Sequence, residues 1–185
     1  LVKDAVLIIN GKIKAFGDKA KEVGKDLNIP SKSSSEKILA PCLVDPHSVL
    51  EEPFNSQIET IWSLASKAID GGYGRIALLP RSKSWRDLPE KLQGFATNKD
   101  SLNLNLWGGF SKGGKGIELA PHADLISHGA IGIAEDTEIP PIDLLHKGLL
   151  LGEMGSKPIL LAPRNQKVQA NGIVRECVEA LRAGW

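Results

Sequence analysis

Hydrophobic positions fall into short blocks separated by turn residues, and the blocks change character after residue 40. Before that point, Ala5-Val6-Leu7-Ile8-Ile9 and Ile13-Lys14-Ala15-Phe16-Gly17 flank Asn10-Gly11. That pair is a strong hairpin signal because both positions tolerate the positive φ of a tight turn. The polar run Pro30-Ser31-Lys32-Ser33-Ser34-Ser35 predicts an exposed loop before Lys37-Ile38-Leu39-Ala40 resumes a strand. Residues 1–40 are therefore expected to form a small N-terminal β subdomain.

From 41 to 185 a strand-like run is followed each time by a longer amphipathic segment. The runs are Cys42-Leu43-Val44, Arg75-Ile76-Ala77-Leu78-Leu79, Leu102 through Trp107, Ala130-Ile131-Gly132-Ile133 and Pro158-Ile159-Leu160-Leu161. The periodicity predicts helices over 58–69, 87–95, 118–127, 142–153 and 172–183. Such alternation calls for parallel strands with helical crossovers, in an open doubly wound sheet or in part of a (β/α)8 barrel. About five βα units would supply roughly half to two-thirds of a TIM-type barrel. No internal sequence repeat accompanies this architectural one.

Composition narrows the function classes. With 42% hydrophobic and 24% charged residues, the 185-residue chain has the makings of a folded globular core. A formal charge of +1 provides no global field for nucleic acid or anionic lipid. No apolar run approaches the roughly 20 residues of a membrane span, and no signal-peptide order opens the chain. Cys42 and Cys177 lack CxxC spacing and are expected to be buried thiols in a reducing compartment, the cytoplasm. A start at Leu1 and an end at Trp185, directly after a helical pattern, are expected of one piece of a longer protein.

In either α/β architecture ligands bind at the carboxyl ends of the strands. The residues there are Asp45-Pro46-His47-Ser48-Val49-Leu50-Glu51-Glu52-Pro53, then Pro80-Arg81-Ser82, Gly108-Gly109-Phe110-Ser111, Ala134-Glu135-Asp136-Thr137 and Ala162-Pro163-Arg164-Asn165. The first of these, with Ala40-Pro41-Cys42-Leu43-Val44 before it and Glu59-Thr60 after it, resembles the signature of dihydroorotases and related cyclic amidohydrolases. Gly71-Gly72, Leu79-Pro80, Gly116-Ile117-Glu118-Leu119, Gly129-Ala130 and Pro158-Ile159-Leu160-Leu161 extend the resemblance along the chain.

The resemblance implies an amidohydrolase barrel with a small β subdomain, and it also exposes departures at the chemistry. In the family a His-x-His pair at the end of the first strand binds a binuclear zinc site; here the segment reads His47-Ser48-Val49. The family's substrate-carboxylate Arg corresponds to Glu51, which would repel that carboxylate. A substrate-contacting Asn corresponds to Arg81, and a later ligand His corresponds to Ala162. An acidic pair, one member of which bridges the metals, is matched by Glu135-Asp136. Hydrolysis of a ring amide at neutral pH needs a metal-activated hydroxide, and a catalytic zinc normally takes three protein ligands. His47, Glu135 and Asp136 are thus expected to be vestiges of a metal site, and Glu51 and Arg81 of a substrate site. His122 and His128 point different ways on one helix, and His146 lies in another helical pattern; all three are expected to be exposed or capping. His47 is expected to bond backbone or a carboxylate.

The segment 109–116 contains two further motif matches. Gly109 through Lys115 fits G-x-x-x-x-G-K, but Gly116 stands where a P-loop needs Ser or Thr for magnesium. An anion could still be held by Lys112, Gly114 and Lys115. Gly109-Phe110-Ser111-Lys112-Gly113 also reads G-x-S-x-G, although the glycines after the serine bar the helix that a nucleophile elbow requires. Trp62 and Trp107 are expected in core or rim packing, and Trp85, after Ser82-Lys83-Ser84, as an anchor for a partner.

The favoured expectation is a dihydroorotase-like chain without hydrolytic chemistry or cofactor, serving assembly or interaction. Some family members are inactive chains that scaffold aspartate transcarbamoylase, which the resemblance makes a plausible partner. The alternatives are a zinc-dependent cyclic amidohydrolase of pyrimidine biosynthesis completed by further segments, and an anion or nucleotide site at the 109–115 loop. In a partial barrel the outer strands are open edges, so the missing strands of a parent chain or another protein are expected to cover them.

Overall fold

A computed structural model describes residues 4–33, 38–51, 59–81, 85–95, 102–135 and 139–161. The expectations for Cys177, Asp136, Ala162 and a helix over 172–183 lie outside these residues. The chain divides into two compact units, Leu1–Pro41 and Cys42–Trp185.

In the first unit, β1 (Val6–Ile9) and β2 (Lys12–Phe16) pair antiparallel across the Asn10-Gly11 turn, where both residues have positive φ (52° and 69°). A helix absent from the sequence expectation follows, α1 (Gly17–Asp26). Its buried positions are the small residues Ala20 and Gly24, and Gly24 lies against Leu7. The other sheet face carries the cross-strand pairs Val6↔Phe16 and Ile8↔Ile13, with Ile8, Ile13 and Phe16 exposed.

The second unit contains two three-stranded parallel sheets. The first is ordered β3 (Leu43–Ser48), β4 (Tyr73–Leu78), β5 (Asn103–Leu106), and the second β6 (Gly108–Gly109), β7 (Ile133–Glu135), β8 (Ile159–Leu161). Trp107 joins β5 to β6: its N–H donates to Leu78 O at 3.0 Å, while Ile131 N donates to Leu106 O at 2.9 Å and Gly108 N to Gly132 O at 3.0 Å. The fold is thus α/β with parallel sheets, as the alternation of patterns predicts.

The helices begin and end for local reasons. α2 (Ile61–Asp70) opens on a reciprocal cap between Thr60 and Ser63 and buries Ile61, Ala65 and Ala68, spaced one turn apart. α3 is shorter than expected, His122–Ser127, because Ala120 precedes a proline and its N–H is spent on Phe110 O at 3.0 Å. α4 (Ile142–Leu151) buries Leu144, Leu145 and Gly148 and stops at Gly152 in the left-handed conformation. Of the helix expected over 87–95, only a 3-10 turn at Pro89–Leu92 forms.

The two sheet faces have separate cores. Ile133 packs with Phe110, Leu125 and Leu145 under α3 and α4. Ala134, on the opposite face, clusters with Ala77, Leu79 and Trp107, joined by Val49 and Leu160. Three side chains differ from expectation. Cys42 is exposed, not buried, because it stands at the outer strand, where its Sγ lies over Gly74. Trp85 is 7% exposed and so is not a surface anchor. His122 is buried, not exposed: Nε2–H donates to Phe110 O at 2.8 Å, and its ring lies 5.1 Å from the Phe110 ring.

Candidate functional site

The carboxyl ends of β3 through β7 bring together most of the described residues to which the sequence assigns chemistry. At the end of β3, Asp45 folds a local turn, accepting from His47 N at 2.9 Å and from Ser48 Oγ at 2.7 Å. That turn leaves the His47 side chain exposed. Val49, where the resemblance implies a second imidazole, packs with Leu79 and Trp107. Trp107 reaches back to the same strand end, where Nε1 donates to Pro46 O at 2.8 Å. Glu51 and Arg81, the two positions expected to remain from a substrate site, form an ion pair at 3.5 Å.

Glu135 ends β7 on the same face as Ile133, the side covered by helices. Its carboxylate accepts from Ser111 N at 3.0 Å and from Ser111 Oγ at 2.7 Å, and that hydroxyl in turn accepts from Gly116 N at 2.9 Å. Burial pushes the Glu135 carboxyl above its ordinary range, and the two Ser111 bonds offset part of that rise. The group is a satisfied internal acceptor that closes the 111–116 loop.

Several groups of the same loop have partners within the chain. Lys112 pairs with Glu118, Gly113 N donates to Asp87 Oδ2 at 2.7 Å, and Lys115 N donates to Lys112 O at 3.3 Å. Asp87 also pairs with Lys91 at 2.6 Å. Burial works to raise the Asp87 carboxyl, but the Lys91 and Gly113 bonds outweigh it and hold the group below its ordinary range.

Arg86, which the sequence reading did not single out, is 1% exposed. Its Nε donates to Trp107 O at 3.0 Å and Nη2 to Leu78 O at 2.6 Å, while the cation lies 5.2 Å from the Phe95 ring centroid. Burial pulls its pKa down to about 10. One available signal was the glycine density around 109–116, which leaves room for large side chains from elsewhere.

The described donors do not fit the zinc site that the resemblance implies. His47 is exposed, Val49 is aliphatic, and Glu135 is bonded to Ser111 on the helix-covered face. Among the described residues no group of three His, Cys, Asp or Glu side chains could hold a metal ion. Nor is any described helix long and apolar enough to cross a membrane.

No family model matches the chain. Curated proteins do. A Synechocystis protein described as a probable dihydroorotase-like protein is 30% identical over 171 residues, which cover 80% of this chain and 39% of that protein. The dihydroorotase of Pelotomaculum thermopropionicum is 25% identical over 174 residues, 92% of this chain and 40% of its own length. That of Elusimicrobium minutum is 25% identical over 183 residues, 97% of this chain and 41% of its own length. The chain spans about two fifths of the length of these relatives. Similarity along most of its own length, together with the parallel α/β architecture, makes the chain dihydroorotase-like, a relative of the dihydroorotases.

Proposed function

We propose that this is a dihydroorotase-like pseudoenzyme, a chain that keeps the family's framework and serves assembly or interaction in place of hydrolysis. The observation that carries the reading is Val49. It stands where the family has a zinc-binding imidazole and packs into the apolar cluster of Leu79 and Trp107. The Glu51–Arg81 ion pair supports it, since a carboxylate and its cationic partner replace the groups that would receive an anionic substrate. Without three ligands there is no activated hydroxide to attack a ring amide.

In this reading the parallel strands β3 through β8 are successive staves of a partial (β/α)8 barrel, with β5 and β6 one stave bent at Trp107. β3 is then an outer stave that exposes Leu43 and Val44. Barrel segments of a longer chain, or a protein partner such as aspartate transcarbamoylase, cover it.

The test is metal analysis and dihydroorotate turnover with the full-length protein. No zinc at stoichiometric level and no ring opening are expected. Stoichiometric zinc with turnover would overturn the reading in favour of an active amidohydrolase completed by further segments.

A further inference from the structure

Two indoles occupy the inner sheet face near the carboxyl ends of the strands, one a step beyond the other. Trp107 and Gly109 are two residues apart on one extended segment, so both face the side on which Ala134, the register partner of Gly109, packs. Trp107 lies over Gly132, where a Cβ would fall 2.5 Å from its ring. One step nearer the strand ends, Gly109 has no side chain, and the space is filled by Trp85. A Cβ at Gly109 would stand 2.7 Å from Trp85 Nε1, and one at Gly114 would stand 3.1 Å from Cζ2. Trp85 Nε1 donates to Ser111 O at 2.8 Å.

The next residue fixes this ring in place. Arg86 O accepts from Gly109 N at 2.6 Å, and its guanidinium turns away from Trp85 to the carbonyls of Trp107 and Leu78. The segment is therefore pinned to the strands beside the position where the indole enters.

We infer that Trp85 is an intramolecular plug: the slot between Gly109 and Gly114, shaped for a planar ring with one N–H donor, is filled by the chain's own indole. The inference rests on the pseudoenzyme reading and deepens it. The slot lies at the carboxyl ends of the strands, where parallel α/β folds bind ligands. Its ligand class is a planar aromatic N–H heterocycle, admitted by the missing side chains at Gly109 and Gly114 and held by one hydrogen bond to Ser111 O. Arg86 is a positioning residue that acts through Trp85.

Free indole is the probe. In the full chain, Trp85→Gly empties the slot; added indole is expected to raise the melting temperature of this variant and leave the parent unchanged. A folded Trp85→Gly protein with no response to indole overturns the inference. The second arm uses a Trp62→Phe, Trp185→Phe background, in which the inner indoles are the fluorophores. There Arg86→Lys, which keeps the charge but cannot span both carbonyls, is expected to release the ring and raise acrylamide quenching several-fold. Quenching equal to that of the background overturns the plug. Neither readout depends on zinc or turnover, so activity in the parent protein would defeat the pseudoenzyme reading while both arms still report on the slot.

Discussion

Ser111 gives both of its protons to one residue: the amide and the hydroxyl each donate to the Glu135 carboxylate, at 3.0 and 2.7 Å. The hydroxyl also receives the Gly116 amide, so two hydrogen bonds, one donated and one accepted, depend on the Ser111 side-chain oxygen. Ser111→Ala would leave the Glu135 carboxylate and the Gly116 N–H each short of a partner. A loss of about 1–3 kcal/mol is expected in urea unfolding, the cost of an unsatisfied buried polar group.

The pH dependence of stability contains two opposing slopes. The Glu135 carboxyl is raised by burial, so the folded chain holds that proton more tightly than the unfolded chain. Its contribution is fully present below the ordinary value of 4.5 and is lost as pH rises from there through the folded value. His122 is lowered by burial, against the pull of the Phe110 carbonyl and Glu153. Its contribution is present above 6.5 and is lost as pH falls below that toward the folded value. Unfolding curves across this range should lose the acid-side slope in Glu135→Gln and the slope below 6.5 in His122→Asn.

Arg86→Lys tests the value of a planar fork. The guanidinium serves Trp107 O and Leu78 O at once and stacks on Phe95, whereas an ammonium on a flexible stem reaches one carbonyl. A destabilisation of about 1–3 kcal/mol is expected by chemical denaturation, from the carbonyl left without its charged donor.

A single added imidazole should not create a zinc site. Val49→His places a polar ring in the cluster of Leu79 and Trp107, at a cost of about 1–3 kcal/mol. The variant should purify without stoichiometric zinc, as elemental analysis would read, because three ligands are still required.

Much of the framework was legible because it rests on local chemistry. Asn10-Gly11 announced the hairpin, and the alternation of apolar runs with helical patterns announced parallel strands. α1 was missed because its buried positions are Ala20 and Gly24, which leave almost no apolar stripe to read. Trp85 was misplaced because its sequence neighbours Ser82, Lys83 and Ser84 are polar, while the groups that bury it, Gly109 and Gly114, are distant in sequence. The valine at 49, where the resemblance implies an imidazole, could be read directly, as a change of residue type. The closure of the 111–116 loop could not, because Ser111 and Glu135 meet only when β6 and β7 align.

The junction at Trp107 makes the molecule intolerant of changes in chain length at one point. That residue is the seam between the two sheets, and the register on its far side sets which way each later side chain faces. Inserting a single amino acid between Trp107 and Gly108 would reverse that parity. Gly109 would turn toward the helices, into the place where Phe110 now packs with Ile133, and Phe110 would be displaced from that core.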